Sequence, residues 1–305
     1  MSTTQVLRTP DERFAGLVDY PFTPNYVDID GGALGSLRMH YVDEGPKDGA
    51  VVLMLHGEPT WSYLYRKMIP PVASAGFRVL APDFIGFGKS DKPADRAAYS
   101  YQSHVDWMKD WLGQLALKNI TFFGQDWGGL IGLRLVAEMP DLFARVMIGN
   151  TALPTGEHDL GEAFKQWREY SQSTPAFNIG GIVSRGTARG MSGEAIAAYD
   201  APFPDESYKA GARAFPMLVP ASPDDPAAPA QKSAWESLRR FDKPFLTCFS
   251  DKDMIMRGGE AIFKKLIPGA AGQDHFITTN ASHFLQEDAG PELAEQLVEF
   301  ARKSA

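Results

Sequence analysis

The chain has 305 residues, 44% apolar and 22% charged, which is the balance of a folded protein with a sizeable core and excludes a disordered or fibrous chain. A formal charge of −8 lacks the basic footprint of a protein that neutralises phosphates, so nucleic acid is excluded as an expected partner. The single cysteine, Cys248, excludes a disulfide within the chain, and in the apolar stretch 245–249 it reads as a small buried hydrophobe.

The first thirteen residues offer no apolar core of a secretory leader, and no apolar run is long enough to span a bilayer. A cytoplasmic monomer is therefore expected, with no membrane association. In chain order, 26–29 and 37–42 read as the first strands, the second alternating Leu37, Met39 and Tyr41 against Arg38, His40 and Val42. The later runs 51–55, 79–81, 120–123, 146–148, 245–249 and 275–278 are continuously apolar or nearly so, as strands buried on both faces are. Helical spacing falls between them at 62–75, 103–117, 128–139, 259–266 and 292–302. This alternation predicts an α/β fold with a mostly parallel eight-stranded sheet and helices on both faces.

The alternation breaks after Asn150 and resumes near Phe241. The interval holds helical pieces and a proline-rich stretch, 201–230, with seven of the chain's 22 prolines. Residues 153–235 are read as a helical cap inserted into a core domain of 1–152 and 236–305. The insertion follows the sixth strand, on the side where strand C-termini open and where open α/β sheets hold ligands.

Four motifs carry chemistry. Gly124-Gln125-Asp126-Trp127-Gly128-Gly129 joins an apolar strand to a helical pattern. Alone, Asp126 reads as an N-cap; the surrounding glycines instead suit a tight strand-to-helix elbow that exposes a nucleophile, with the helix N-terminus favouring its charge. His283 sits in a loop after the last predicted strand, satisfying the chain order nucleophile, acid, histidine. Asp251 and Asp253, after the strand ending at Phe249, are both candidates for the acid that orients the imidazole. His56-Gly57-Glu58-Pro59-Thr60-Trp61 follows a strand as an oxyanion hole does, with the backbone N–H groups of Glu58 and Trp127 as donors.

These motifs, with Asp83-Phe84-Ile85-Gly86-Phe87-Gly88-Lys89-Ser90-Asp91-Lys92-Pro93 and His283-Phe284-Leu285-Gln286-Glu287-Asp288, make the chain resemble α/β-hydrolase-fold enzymes with an aspartate nucleophile, most closely the haloalkane dehalogenases. The resemblance spans nearly the whole chain. One subgroup of that family places its acid after the sixth strand and a halide-binding asparagine after the His-Gly pair. Here those places hold Asn150 and Glu58, the latter read as an anion unable to donate to halide. The chain is more similar to the other subgroup, which implies Asp253 as the acid and Trp127 with the cap residue Trp167 as halide donors. Two indole N–H groups in a dry pocket suit a weakly hydrated anion. Phe164, Phe215 and Pro216 match residues lining the family's pocket, and Leu130 departs from an aromatic found there in a relative.

The implied reaction is hydrolysis of a small apolar haloalkane to a primary alcohol, halide and a proton through an ester on Asp126, with water as co-substrate and no metal or organic cofactor. The alternative is an epoxide hydrolase, which shares the elbow and histidine but protonates the opening ring with two cap tyrosines; Tyr170, Tyr199 and Tyr208 are available. Trp127, where a fluoroacetate dehalogenase carries arginine, argues against that enzyme. The complete set of three catalytic side chains argues against a non-catalytic receptor.

Overall fold

The computed structural model describes residues 4–303. Its main sheet has seven strands: β1 (Asn25–Asp30), β2 (Ser36–Glu44), β3 (Val51–Leu55), β4 (Arg78–Pro82), β5 (Ile120–Gln125), β6 (Phe143–Gly149) and β7 (Phe245–Thr247). Their order is β1-β2-β4-β3-β5-β6-β7. The pairs β1–β2 and β2–β4 are antiparallel and the rest parallel. All six residues of β5 are buried, which requires cover on both faces of the sheet. That cover comes from helices. α2 (Tyr101–Gln114), α3 (Trp127–Glu138) and α8 (Ala228–Leu238) pack in succession, α9 (Glu260–Leu266) lies against β7, and α1 (Ile69–Ser74) packs on α10 (Leu285–Arg302). A small antiparallel pair, Val6–Leu7 with Lys92–Pro93, lies outside the main sheet.

The eighth strand expected at 275–278 does not form a ladder, so the sheet has seven strands. The segment runs beside β7, with Phe276 N–H donating to Thr247 O (3.2 Å) and Thr278 N–H to Phe249 O (2.7 Å). Thr247 N–H, however, is taken by Nδ1 of the His275 ring at 3.1 Å, which leaves only the Ser250–Thr278 bridge. The helix expected at 62–75 is also divided. Ser62–Tyr65 forms a 3₁₀ turn and α1 starts at Ile69, because Pro70 and Pro71 have no N–H and suit only a first helical turn.

Between β6 and α8 lie α4 (Glu162–Ser173), α5 (Ile179–Arg185), α6 (Gly193–Asp200) and α7 (Ala210–Leu218). They pack as pairs, α5 on α6 and α4 on α7. The boundary read at 235 passes through α8. That helix packs on α3, and Trp235 Nε1 donates to Leu153 O at 2.7 Å, so we place the end of the cap before α8, near 227. The side chains that face the cap from the C-terminal ends of β3, β5 and β6 and from the loop after β7 form the site.

Candidate active site

The turn from β5 into α3 holds Asp126 at φ 51°, ψ −127°, a conformation that costs a non-glycine residue roughly 1–3 kcal/mol. The surroundings enforce it. A Cβ on Gly128 would lie 1.8 Å from Leu55 O, and one on Gly129 would lie 2.2 Å from Thr151 Oγ1, so the helix packs this closely on the backbone of β3 and on the Thr151 side chain only with glycine at both positions. Asp126 N–H donates to Asn150 O (3.0 Å), and its carbonyl accepts from Gly129, Leu130 and the Thr151 hydroxyl. The side chain makes no capping hydrogen bond. An N-cap role is thereby absent, and the carboxylate is left facing the cavity.

Glu58 N–H donates to Asp126 Oδ1 at 2.7 Å. The other oxygen, Oδ2, lies 3.6 Å from His283 Nε2. Trp127 N–H, the second expected oxyanion donor, opens the first turn of α3 and has no acceptor among the described residues. His283 Nδ1 is 2.9 Å from Asp253 Oδ2. Asp253 is 1% exposed; its Oδ1 accepts the N–H groups of Ile255 (2.8 Å) and Met256 (3.1 Å). Burial works against its charge, but His283 and those two N–H groups hold it below the usual aspartate value. Asp251 instead accepts from Ala281 N–H at 3.1 Å, so Asp253 is the candidate the structure brings to the imidazole.

Burial disfavours an imidazolium at His283, yet the charges and hydrogen bonds of Asp253 and Asp126 outweigh it and raise the group well above the ordinary histidine value. Two residues that carried no positive assignment from the sequence hold the histidine loop. Gln125 Nε2 donates to His283 O (3.1 Å), and Asn150 Nδ2 donates to Ser282 O (2.9 Å) and His283 O (3.0 Å). Asn150 also accepts Ser250 N–H at 2.9 Å, so one buried side-chain amide ties the end of β6 to the segment after β7 and to the histidine loop. Gln125 lies inside the elbow motif and Asn150 at the strand end where the other subgroup carries its acid, which is the only signal the sequence offers for them.

A cavity of about 350 Å³ opens between core and cap, lined by Glu58, Asp126, Trp127, Leu130, Phe164, Trp167, Tyr170, Arg185, Pro216 and His283 among others. Trp61 and Trp235 donate their indole N–H groups to the carbonyls of Ala198 and Leu153; those of Trp127 and Trp167 have no acceptor among the described residues. Phe215, expected in the pocket wall, does not line it. It is fully buried and stacks on the far face of Trp127, with centroids 4.2 Å apart and planes 9° from parallel.

The anion read at Glu58 meets surroundings that oppose its charge. Its carboxyl is buried, Oε1 has no partner among the described residues, and burial followed by the charge of Asp126 pushes it well above the usual glutamate range. Both influences favour the acid form over the anion. The tyrosine pair needed to protonate an epoxide is not assembled either: Tyr199 is buried with its hydroxyl donating to Glu287 Oε1 (2.5 Å), Tyr208 does not line the cavity, and Tyr170 alone does.

Residues 50–290 match the family described as the alpha/beta hydrolase fold. The chain is 58% identical to a haloalkane dehalogenase of Psychrobacter cryohalolentis over 97% of its own length and 98% of the relative's. It is 55% identical to one from Mycolicibacterium paratuberculosis over 96% and 97%. Among solved structures, a haloalkane dehalogenase from Paraglaciecola agarilytica NO2, described as tetrameric, superposes with a TM-score of 0.88 at 39% identity, covering 96% of this chain and 97% of that one.

Proposed function

The chain belongs to the haloalkane dehalogenases of the α/β-hydrolase fold, which hydrolyse carbon–halogen bonds of small halogenated compounds, and from that premise we propose how its residues divide the work. Asp126 Oδ2, which accepts no backbone N–H, attacks the halogen-bearing carbon. The carbon–halogen pair leaves with the halide toward the indole N–H groups of Trp127 and Trp167, and an alkyl ester forms on Asp126. His283, held by Asp253, then takes a proton from water as the remaining hydroxide adds to the ester carbonyl carbon. The oxyanion at Oδ1 is met by Glu58 N–H and by Trp127 N–H. Collapse breaks the bond to the alkyl oxygen and releases the alcohol with the hydroxide's proton, while His283 gives its proton to solvent.

The observation that supports this assignment is the cavity itself, lined by Asp126, His283, Trp127 and Trp167, with Asp126 Oδ2 3.6 Å from the imidazole and neither indole N–H given an acceptor among the described residues. The acid following β7 and the cap tryptophan support assignment to the subgroup with those two features. No helix of the described residues is long and apolar enough to cross a membrane. The cytoplasm and a monomer remain part of this reading on composition alone, and sedimentation showing a stable tetramer would overturn the second. Incubation with a short bromoalkane and, separately, with styrene oxide tests the chemistry. Halide release from the first is expected; diol from the second without halide from the first would sink the reading.

A further inference from the structure

Two carboxylates, Glu287 and Asp288, follow His283 at the start of α10, and the chemistry above uses neither. Asp288 is buried and accepts three backbone N–H groups: Ser282 at 2.9 Å, Ala188 at 2.9 Å and Arg189 at 2.7 Å. The first belongs to the residue before His283, and the other two to the cap loop that leaves α5. A second tie joins the same segments, Phe284 N–H donating to Gly186 O at 3.1 Å. Their approach is close enough that a Cβ on Gly186 would lie 2.6 Å from the Phe284 ring. Arg185, Gly186, His283 and Phe284 all line the cavity. One buried carboxylate therefore fastens the loop carrying the histidine to the loop closing the pocket, through charge-assisted hydrogen bonds that are shorter and stronger than neutral ones.

We propose that Asp288 is a positioning residue for the hydrolytic half of the reaction: from core and cap together, it holds His283 in register to deliver water to the ester on Asp126. The proposal rests on the dehalogenase reading. Formation of the ester needs only Asp126 and the halide donors, so it is insensitive to the imidazole's placement. Attack of water needs the imidazole, the water and the carbonyl carbon aligned together, and an ångström of misplacement there costs on the order of 10²-fold. Glu287 supplies the contrast. Its side chain binds Arg66, Lys67 and the cap residue Tyr199, and touches no residue of the histidine loop.

The test compares the full chain with its Asp288→Asn and Glu287→Gln variants on a short bromoalkane, following the first-turnover burst of bromide, steady-state bromide release and the intact mass of the protein. In D288N one acceptor oxygen becomes a donor facing backbone N–H groups. The burst is expected to stay within about 2-fold of the parent, steady-state release to fall about 10-fold or more, and the alkyl adduct to accumulate. The acid limb of the kcat profile shifts as well, since the imidazole's contact with Asp253 changes. E287Q lowers the melting temperature while keeping the parent's ratio of burst to turnover. Equal loss of both phases in D288N, or loss of neither, overturns the proposal. If D288N does not fold, Asp288→Glu carries the same comparison, because it keeps the acceptor and moves it by one methylene. A parent chain that releases no bromide at all would sink the dehalogenase reading and this proposal with it, an outcome distinct from failure of the D288N comparison in an active parent.

Discussion

The two negative charges beside His283 differ in permanence. Asp253 keeps its charge throughout, whereas Asp126 loses its own on becoming an ester, and with it one of the two interactions that hold the imidazole's proton. The histidine thus gives up its proton more readily in the intermediate that needs a base. Asp126→Asn imitates the uncharged intermediate; His283 followed by NMR is expected to titrate lower in this variant than in the parent. An unchanged titration would remove the charge argument.

Glu58 gives a second residue-scale prediction. Its carboxyl is held well above the usual glutamate range in the folded chain but ionises above pH ~4.3 once unfolded. Unfolding therefore releases a proton in that range, and the folded state loses stability as pH rises from the unfolded value toward the raised folded one. Glu58→Gln should leave the melting temperature near pH 4 almost unchanged and raise it relative to the parent at pH 8. A variant whose advantage is the same at both pH values would show that Glu58 is not held neutral. The sequence could not have disclosed this, because the shift comes from burial beside Asp126, two strands away in chain order. The identities and spacing of Asp126, Asp253 and His283 were legible, since their chemistry lies in which side chain stands at which strand end. Phe215 was not: it precedes Pro216 on α7, and only the helix's rotation decides that Pro216 lines the cavity while Phe215 backs Trp127.

At the scale of elements, strand-to-helix alternation showed where the sheet and its helices lie, and the departures occur where a side chain or a proline competes with a ladder. His275 takes the N–H that an eighth strand needed. The last helix, read from Glu292, begins at Leu285. Pro291 sits inside the helix, beyond a kink at Ala289 (φ −136°, ψ 32°) that separates the periodic segment from its first turn. The elbow offers a test of how strictly an element is specified. The fault in Gly128→Ala is not helix propensity, since alanine is the better helix former by about 1 kcal/mol. The added Cβ meets the backbone of β3, which cannot move without breaking its pairing with β5. G128A should therefore lose more than ~3 kcal/mol of stability by urea denaturation, or fail to yield soluble protein. A variant as stable as the parent would mean that the elbow yields where its packing says it cannot.

Across the whole molecule, the cavity is shared between two bodies of structure: Asp126, Trp127 and His283 come from the core, Trp167 from α4 of the cap. A halide held by both tryptophans is a link between core and cap, so it binds the folded chain and not the unfolded one. Mass action then requires bromide to raise the unfolding temperature, by about 2.7 kcal/mol of stabilisation at a hundredfold excess over Kd. Trp127→Phe removes the core donor together with an indole stacked on Phe215, and its loss would mix binding with packing. Trp167→Phe is the cleaner variant, because Trp167 is half-buried and phenylalanine keeps a ring near Phe177 while deleting the N–H. In W167F the bromide-dependent rise should shrink by the equivalent of a 10-fold or greater weakening of Kd, about 1.4 kcal/mol, with the bromide-free melting temperature nearly unchanged. Sulfate at equal ionic strength separates specific binding from salt effects, since a divalent tetrahedral anion needs more than two single donors in an apolar pocket. Equal stabilisation of parent and W167F by bromide would show that the cap contributes walls to the cavity and no hydrogen bond to the halide.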